Sequence, residues 1–495
     1  MPDVTSKILQ QRVVSTITGA SIIRPLVTAA TAAATAAETA QGLAETAQEA
    51  AEAAALDAST QVAQVIDILG RADLYEMDRT YDATQFLSRG IELLFTEDYY
   101  RLGSEVHDDI TDLTGFACTR STVGYALRAN GTYQSFGINE PRITDKGITV
   151  EPAATNLLLR SNEFDNASWL KTNCTIATNV ATAPDGTATA DRLIPNTSVV
   201  NSHQITQAPA LADNTDYVLS VFVKAGGYDF LALVPTNKAG ASTSSIFNIS
   251  TGVVASVDPL HTAGIDAFAG GWFRCWVKFN SGAGATSPIL RIRSTADASG
   301  TPFAGDGVSG PYIWSSQLEA GALCSTPIVT TGAAATRPAD WPRITGLSFS
   351  GAFVVYIEYE WIGAGPSDGG TRVLFELSDA AGTSLLRFYN SPGNNVRSFL
   401  QVGGVSQGIL TAPGGAGAAR TTYEAASRVS VSNHAIGISG GRTDASGDVL
   451  EAPALTQMGV GSRASNANQS SAILKRLALI PVDLADAAFD ALTAA

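Results

Sequence analysis

Alternation of hydrophobic and polar residues runs through most of the chain after residue 110 and predicts β-strands. Residues 111–150 alternate around Asn130 and Gly131, a pair of residues typical of a hairpin turn. Residues 151–340 and 346–482 each hold further short strand patterns, separated by turn signals rich in glycine. We predict strands at residues 187–193, 213–224, 230–234, 245–249, 272–279, 289–293, 311–318, 349–361, 373–377, 385–389, 397–402, 428–432, 434–439 and 473–480. Many short strands with turns at regular spacing predict a β-sandwich or a barrel, and we interpret the two segments as two β-sandwiches.

The boundaries of the first sandwich are set by two stretches far apart in sequence. Residues 151–169 (EPAATNLLLRSNEFDNASW) open the segment and residues 310–340 close it. We predict that they form its first and last strands and meet in space. Residues 111–345 are therefore a β lead-in followed by the first sandwich. Residues 346–495 are a second sandwich, closed by a short helix in VDLADAAFDALTAA.

The first 110 residues follow a different pattern. Residues 28–69 are rich in alanine, glutamate and glutamine, and a heptad of small residues runs through them, with a phase shift near Ala51. This predicts a slender coiled coil, although a solvated single helix is the alternative. The alanine seam does not choose between two, three or more strands. Residues 1–27 are either a docking segment or a disordered leader, and residues 70–110 are a neck.

Composition and charge exclude several classes of protein. The 495 residues carry a net charge of −15 and no basic stripe, so we predict no binding to nucleic acid. No run of about 18 apolar residues is present, so we predict no membrane insertion. The N-terminal residues lack the pattern of a signal peptide, which predicts synthesis in a cytoplasm and release by lysis or by assembly into a particle.

The four cysteines are widely spaced, and no CxxC pair indicates a zinc or redox site. Cys275 lies in a strand pattern and is predicted to be a small core residue. Cys174 and Cys324 lie near the two ends of the first sandwich, where either a disulfide or two reduced thiols is compatible with the sequence. We favour the reduced thiols.

Candidate catalytic groups are sparse. Glu358 and Glu360 lie two apart on one predicted strand and therefore share a face, but a glycosidase needs two carboxylates across a cleft. No GxSxG motif is present. Asp368, Asp379, Asn394 and Asn395 offer oxygen ligands without a recognisable calcium spacing. We predict that the protein is not an enzyme and binds neither a metal nor a cofactor.

Several phrases resemble a module common in bacteriophage tail-fibre and tailspike-like proteins. They are TNLLLRSNEFDNASWLKTN, ATAPDGTATADRL, YVLSVFVKAG, GGWFRCWVKF and YIWSSQLEAGALCSTPIVTTGAAATRPAD, and together with their lead-in they cover residues 113–340. The stretch SAILKRLALIPVDLADAAFDALT resembles the end of concanavalin A-like or laminin G-like domains. The resemblance implies a carbohydrate-binding jelly roll in a homotrimeric virion fibre, on tail or head. It implies docking to other virion proteins through residues 1–27, and host attachment through the C-terminal part.

Ligand contacts are expected in the second sandwich. Aromatic side chains bind sugar faces, and loops on a rigid scaffold concentrate binding residues. Trp361 is expected to be exposed, because it precedes the glycine-rich loop 363–371. The candidate residues are Trp361, Asp368, Tyr389, Asn394 and Asn395. The other tryptophans (Trp169, Trp272, Trp276, Trp314 and Trp341) are mostly predicted to be core residues. Two functions stay open, a receptor-binding fibre that recognises host glycans and a structural decoration fibre without a glycan site.

Overall fold

A computed structural model describes residues 90–349, 351–362, 371–391, 395–412, 421–430, 433–438, 441–446, 454–481 and residue 489. The predicted docking segment, the coiled coil, residues 70–89 of the neck and nearly all of the predicted closing helix lie outside the described residues. Within them the chain is almost entirely β-structure. The helical parts there are two short 3₁₀ turns at Ile110–Asp112 and Ala269–Gly271, together with Phe489, the one described residue of the predicted closing helix, which is helical.

Nine short strands precede the first sandwich or open it. They are β1 (Ile91–Leu94), β2 (Tyr99–Leu102), β3 (Glu105–His107), β4 (Phe116–Thr119), β5 (Gly124–Leu127), β6 (Tyr133–Phe136), β7 (Ile143–Thr144), β8 (Gly147–Val150) and β9 (Ala154–Asn156).

Thirteen strands build and close the first sandwich. They are β10 (Leu170–Thr172), β11 (Cys174–Ala181), β12 (Ala190–Pro195), β13 (His203–Gln207), β14 (Asp216–Lys224), β15 (Phe230–Thr236), β16 (Ser245–Asn248), β17 (Val253–Ser256), β18 (Thr262–Ala267), β19 (Trp272–Asn280), β20 (Ile289–Thr295), β21 (Tyr312–Ala320) and β22 (Ala335–Arg337).

Eleven strands follow in the described part of the C-terminal region. They are β23 (Trp341–Phe349), β24 (Phe353–Trp361), β25 (Arg372–Ser378), β26 (Leu385–Ser391), β27 (Asn395–Val402), β28 (Val405–Thr411), β29 (Thr422–Val429), β30 (Asn433–Ile438), β31 (Gly441–Ser446), β32 (Leu455–Val460) and β33 (Ala472–Ile480).

Two antiparallel six-stranded sheets form the first sandwich. The β14 sheet has the order β11-β12-β21-β14-β19-β18, and the β15 sheet has the order β10-β13-β20-β15-β16-β17. Alternate residues of each strand point into a shared core, where Val221, Leu231 and Cys275 are fully buried. The expectation that Cys275 is a small core residue is therefore confirmed. The two-sandwich fold follows from this period of two, because each sheet buries one face against the other.

The second sandwich is completed by strands that precede the first. Its β24 sheet has the order β3-β2-β1-β33-β24-β29-β30-β31, with β8 also pairing with β33 and β7 pairing with β8. Its β26 sheet has the order β28-β27-β26-β25-β32-β23-β4. Residues 91–107, from the predicted neck, and strands β4, β7 and β8, from the predicted lead-in, thus belong to the second sandwich. The first sandwich is an insertion between β8 and β23.

The opening and closing stretches of the first sandwich meet, as predicted. Strand β9 pairs with β22, with Asn156 opposite Ala335 and Ala154 opposite Arg337. The side-chain amide of Asn156 also donates to the carbonyl oxygens of Ser316 and Ile328, each at 3.0 Å. These bonds fasten the first strand to the last part of the same segment.

A buried ionic cluster lies where the chain passes between the two sandwiches. We call it the junction cluster: Arg120, Arg142, Arg337, Glu151 and Asp340. Its side chains are at most 2% exposed. Arg142 donates to Glu151 at 2.8 Å and to Asp340, Arg120 donates to Asp340 at 2.9 Å, and Arg337 lies 3.3 Å from Glu151. Burial by itself raises the pKa of Glu151, but Arg337, Arg142 and the bonds from Thr326 lower it to about 2. Glu151 therefore stays ionised in the native junction.

A hairpin formed by β5 and β6 covers part of the outer face of the β14 sheet. Its turn includes Gly131 at φ 81°, a left-handed conformation that glycine adopts without strain. The hairpin residue Tyr133 packs against Phe222 with ring centroids 5.8 Å apart, and Trp272 and Trp314 lie in the same cluster. The hairpin predicted at Asn130 and Gly131 is confirmed, and it buries the two tryptophans.

Candidate ligand-binding face

The structure describes three of the five predicted site residues, and it separates Trp361 from the other two. Tyr389 and Asn395 are half-buried members of β26 and β27, two neighbouring strands of the β26 sheet. Trp361 lies in the core. Asp368 and Asn394 lie outside the described residues, as do most of the loops in which they were placed.

The expectation that Trp361 is exposed is wrong. The side chain is 1% exposed, and its ring packs against Tyr359 with centroids 5.3 Å apart at 73°. Phe353, Val355 and Ile357, at the alternate positions of β24, belong to the same core. Trp361 continues that alternation into the core although a glycine-rich stretch follows it, so it offers no ring face to a ligand.

Outward-facing side chains of β26 and β27 form the candidate face. Leu386 and Phe388 of β26 and Val396 and Leu400 of β27 point into the core. The residues between them therefore point outward. The register places Tyr389 directly opposite Arg397 and Arg387 directly opposite Phe399. Cross-strand neighbours of this kind have side chains within contact range, so two aromatic rings and two guanidinium groups share one surface.

A third guanidinium group reaches this surface from the segment that follows β32. The groups that change the pKa of Arg463 include Arg387, Glu376 and Tyr389, which places Arg463 beside them. The backbone N–H of Ala464 donates to Glu376 at 3.2 Å and thereby holds the segment against the sheet. We call the resulting surface the Tyr389 face: Arg387, Tyr389, Arg397, Phe399 and Arg463.

Only part of the positive charge of the Tyr389 face is neutralised. Arg387 donates to the buried carboxylate of Glu376 at 2.6 Å. By contrast, the Nε atoms of Arg397 and Arg463 are buried and have no hydrogen-bond partner among the described residues. Burial and the charge of Arg387 lower the pKa of Arg463. A buried donor without a partner is costly. The side chains of Arg397 and Arg463 are only half-buried, so the other N–H groups of the two guanidinium groups can bind an anionic ligand.

The arrangement matches what recognition of an acidic sugar requires. Guanidinium groups bind a carboxylate with two parallel hydrogen bonds, and aromatic rings pack on the apolar face of a sugar ring. Arg387, Arg397, Phe399 and Arg463 were not among the sequence candidates. A signal was present in the sequence, because charged and aromatic residues alternate on both sides of the segment NSPGNN.

The remaining tryptophans expose little ring surface to a ligand. Trp169 and Trp314 are at most 2% exposed, and Trp272 is 3% exposed, so their assignment to the core is confirmed. Trp276 is half-buried, and it lies so close to Gly264 that an added Cβ would be 2.3 Å from its ring. Trp341 is half-buried beneath the guanidinium of Arg343, 3.8 Å from its ring centroid.

The two glutamates considered as catalytic groups each contact a lysine, and a buried histidine contacts a serine. Glu358 lies 3.6 Å from Lys475, and Glu360 lies 3.1 Å from Lys146. His434 is buried, with Nε2 2.7 Å from the Ser398 hydroxyl. Among the described residues there is no group of three or more His, Cys, Asp or Glu side chains suited to holding a metal ion. No helix within those residues is both long and apolar enough to span a membrane.

A small cavity lies near the junction cluster. Its volume is about 180 Å³, and it is lined by residues 151–154 and 319–325 together with Ile362, Arg372 and Ser471. Cys324 contributes to the lining, and burial raises the pKa of its thiol to about 12. All four cysteines are free in the structure. A thiol with so high a pKa is a poor nucleophile.

No protein-family model matches the chain. No curated protein matches it either. Among solved structures, the chain is similar to the NanB sialidase of Streptococcus pneumoniae (8% identity, TM-score 0.24, 28% of this chain and 23% of the sialidase). It is also similar to the Ruminococcus gnavus IT-sialidase CBM40 bound to α2,6 sialyllactose (12% identity, TM-score 0.25, 30% of this chain and 97% of that domain). A third similar structure is the SAP-like pentraxin of Limulus polyphemus (14% identity, TM-score 0.24, 31% of this chain and 74% of the pentraxin).

The chain spans about a quarter of the length of the NanB sialidase, 23%. TM-scores this low do not establish a shared fold. The assignment of two β-sandwiches rests on the sheets described above, and they define the chain as a mainly β protein with one sandwich inserted into another.

Proposed function

We propose that this chain is a glycan-binding attachment protein and that the Tyr389 face of its second sandwich binds acidic cell-surface saccharides. The observation that carries the proposal is the pair of half-buried guanidinium groups on Arg397 and Arg463, neither of which forms an ion pair with a described carboxylate, while the neighbouring Arg387 is paired with Glu376. Tyr389 and Phe399 lie beside them and supply aromatic surface. The face would therefore hold a carboxylate and a sugar ring together.

The setting we propose is a virion fibre. The resemblance of residues 113–340 to bacteriophage tail-fibre modules and the predicted coiled coil at residues 28–69 support it. In this arrangement residues 1–27 dock to other virion proteins, the coiled coil joins three copies, and the two sandwiches face the host. The fibre belongs to the tail or the head of a particle assembled in a host cytoplasm.

We also propose that the protein binds its glycan without cleaving it. The two glutamates that share the β24 strand each lie against a lysine, so neither is placed as a free general acid. A glycosidase places two carboxyl groups on opposite sides of the scissile bond, and one of them has a raised pKa. Incubation of the full chain with any saccharide that it binds, followed by analysis of the products, tests this part, and release of shorter sugars would contradict it.

A glycan array tests the binding proposal. The full-length oligomer is applied to acidic oligosaccharides and to their neutral counterparts. We expect binding to acidic members that falls on substitution of Tyr389→Ala or Arg397→Gln, and no change for the control Arg128→Gln, which alters an exposed arginine of the β5–β6 hairpin. If the folded oligomer binds no glycan and no host cell, the protein is a structural decoration fibre.

A further inference from the structure

The outer face of the β15 sheet, in the first sandwich, carries a second set of arginines. Leu290 and Ile292 of β20 point into the core, so Arg291 and Arg293 point outward. Two residues along a strand span about 7 Å, which lets both long side chains reach one ligand group. The register places Thr206 opposite Arg291 and Gln204 opposite Arg293.

The partners of these arginines are all neutral. Arg293 donates from Nε to the side-chain oxygen of Gln204 at 3.0 Å. Arg291 donates from Nη1 to the hydroxyl of Thr236 at 2.6 Å and to that of Ser242 at 3.4 Å. The structure gives neither arginine an ion pair with a described carboxylate. This is notable in a chain whose net charge is −15.

Burial makes the two charges costly. Burial lowers the pKa of Arg291, and burial together with the charge of Arg291 lowers that of Arg293. On the neighbouring strand β15, Ala232 is paired with Arg293 and Val234 with Arg291. The aliphatic parts of the two arginine side chains therefore lie beside apolar side chains. Covering these apolar residues is one role of the arginine stems. It does not account for two adjacent guanidinium groups without a carboxylate.

The surroundings favour a hydroxylated ligand. Gln204, Thr206, Thr236 and Ser242 place amide and hydroxyl groups around the guanidinium groups, and such groups exchange hydrogen bonds with sugar hydroxyls. Leu170, opposite Thr206 on the edge strand β10, is 66% exposed and offers apolar surface. A dense polyanion such as nucleic acid is disfavoured, because the whole chain is strongly negative and the patch has two cations only.

We infer that the outer face of the β15 sheet is a second saccharide site, which takes a carboxylate-bearing sugar between Arg291 and Arg293. It lies on a different sandwich from the Tyr389 face and does not depend on the function proposed for that face. Two sites on one chain, repeated in an oligomer, would raise the avidity for a polysaccharide that carries many acidic sugars.

The test uses the full chain with the Tyr389 face disabled by Tyr389→Ala and Arg397→Gln. Binding is measured on a panel of uronic acid and sialic acid oligosaccharides and on the same sugars with their carboxyl groups reduced. We expect residual binding to acidic members, at least tenfold weaker binding after Arg291→Gln with Arg293→Gln, and none to the reduced sugars. Arg128→Gln with Lys278→Gln removes the same charge outside the β15 sheet and should leave binding unchanged.

Three results would overturn the inference. They are no binding to any acidic member by the protein with an intact first sandwich, equal loss in the charge-matched control, and stronger binding to poly-glutamate than to every acidic sugar. The variant Arg291→Lys with Arg293→Lys keeps the charge and the aliphatic stems. It should retain part of the binding and so separates loss of the site from loss of the fold.

Discussion

Glu151 and Asp340 are 189 residues apart and hydrogen-bond to each other twice. The backbone N–H of Glu151 donates to the Asp340 carboxylate at 2.9 Å, and the N–H of Asp340 donates to the carbonyl oxygen of Glu151 at 3.0 Å. Because the first sandwich leaves the second at Glu151 and returns at Asp340, these bonds close the inserted domain at its base. Three buried arginines neutralise the two carboxylates.

Removal of the Asp340 carboxylate should unfold the junction. Asp340→Ala leaves Arg120 and Arg142 buried with less compensation, and breaking a buried ion pair costs about 3–5 kcal/mol. We expect a loss of that size in the free energy of unfolding, measured with guanidinium chloride. Asp216→Ala is the control. That exposed carboxylate lies 3.5 Å from the half-buried Lys278, and its removal should cost less than about 1 kcal/mol. Equal losses in the two variants would contradict a structural role for the junction cluster.

The stability of the second sandwich should fall as the pH falls through the range in which His434 titrates. Burial lowers the pKa of His434 from 6.5 to about 4. The unfolded chain therefore binds a proton at this residue at a higher pH than the native chain does. The resulting stability is complete above about pH 6.5 and is lost toward pH 4, by about 3 kcal/mol for a shift of this size.

Comparison with His434→Gln isolates this contribution, because every other titrating group is shared by the two proteins. The free energy of unfolding should fall more steeply between pH 6.5 and pH 4 in the parent chain than in the variant. Parallel curves over this range would show that His434 does not titrate as described.

The Tyr389 face should lose affinity in a graded manner. Tyr389→Ala removes one aromatic surface and should weaken binding of an acidic saccharide by roughly 3- to 10-fold. Arg397→Gln removes a charged hydrogen bond and should weaken it by roughly 10- to 100-fold. Titration calorimetry on the full chain measures both, and affinity should fall with added salt. If both variants bind like the parent chain, the glycan site lies elsewhere.

Trp361 should matter for stability instead of binding. Trp361→Ala removes a fully buried ring from the core and should cost about 3–5 kcal/mol. Trp341→Ala removes a half-buried ring that packs against Arg343 and should cost about 1 kcal/mol. Thermal unfolding of both variants compares them. A stable Trp361→Ala protein that has lost glycan binding would restore the idea that this residue contacts the ligand.

The four thiols should react slowly in the native protein. Burial raises the pKa of Cys118 and Cys324 to about 12 and that of Cys174 to about 11, and it also raises the pKa of Cys275. At pH 8 little thiolate is present, so a thiol reagent should modify the native chain slowly and all four cysteines after unfolding. A non-reducing peptide map that joins Cys174 to Cys324 would contradict the free thiols.

The order of strands was largely predictable, and their partners were not. Period-two alternation is a property of consecutive residues, so it locates β14, β19 and β33 within a few positions. The residue pattern within a strand does not show that β1 and β8 pair with β33, because this pairing depends on contacts between residues more than 300 positions apart. For the same reason the predicted domain boundary at residue 346 followed the strand pattern. It did not include β1–β4, β7 and β8, which precede the first sandwich in sequence but belong to the sheets of the second.

The sequence by itself determined the class of the fold, the burial of Trp169, Trp272 and Trp314, and the meeting of residues 151–169 with the end of the first sandwich. The tertiary structure decided which side chains of the candidate site are exposed to a ligand. It buried Trp361 with the other alternate residues of β24. It left the Nε atoms of Arg397 and Arg463 without hydrogen-bond partners among the described residues, while Arg387 is paired with Glu376. Whether a charged or aromatic residue is available to a ligand depends on what the neighbouring strands place beside it. The pattern of one strand does not contain that information.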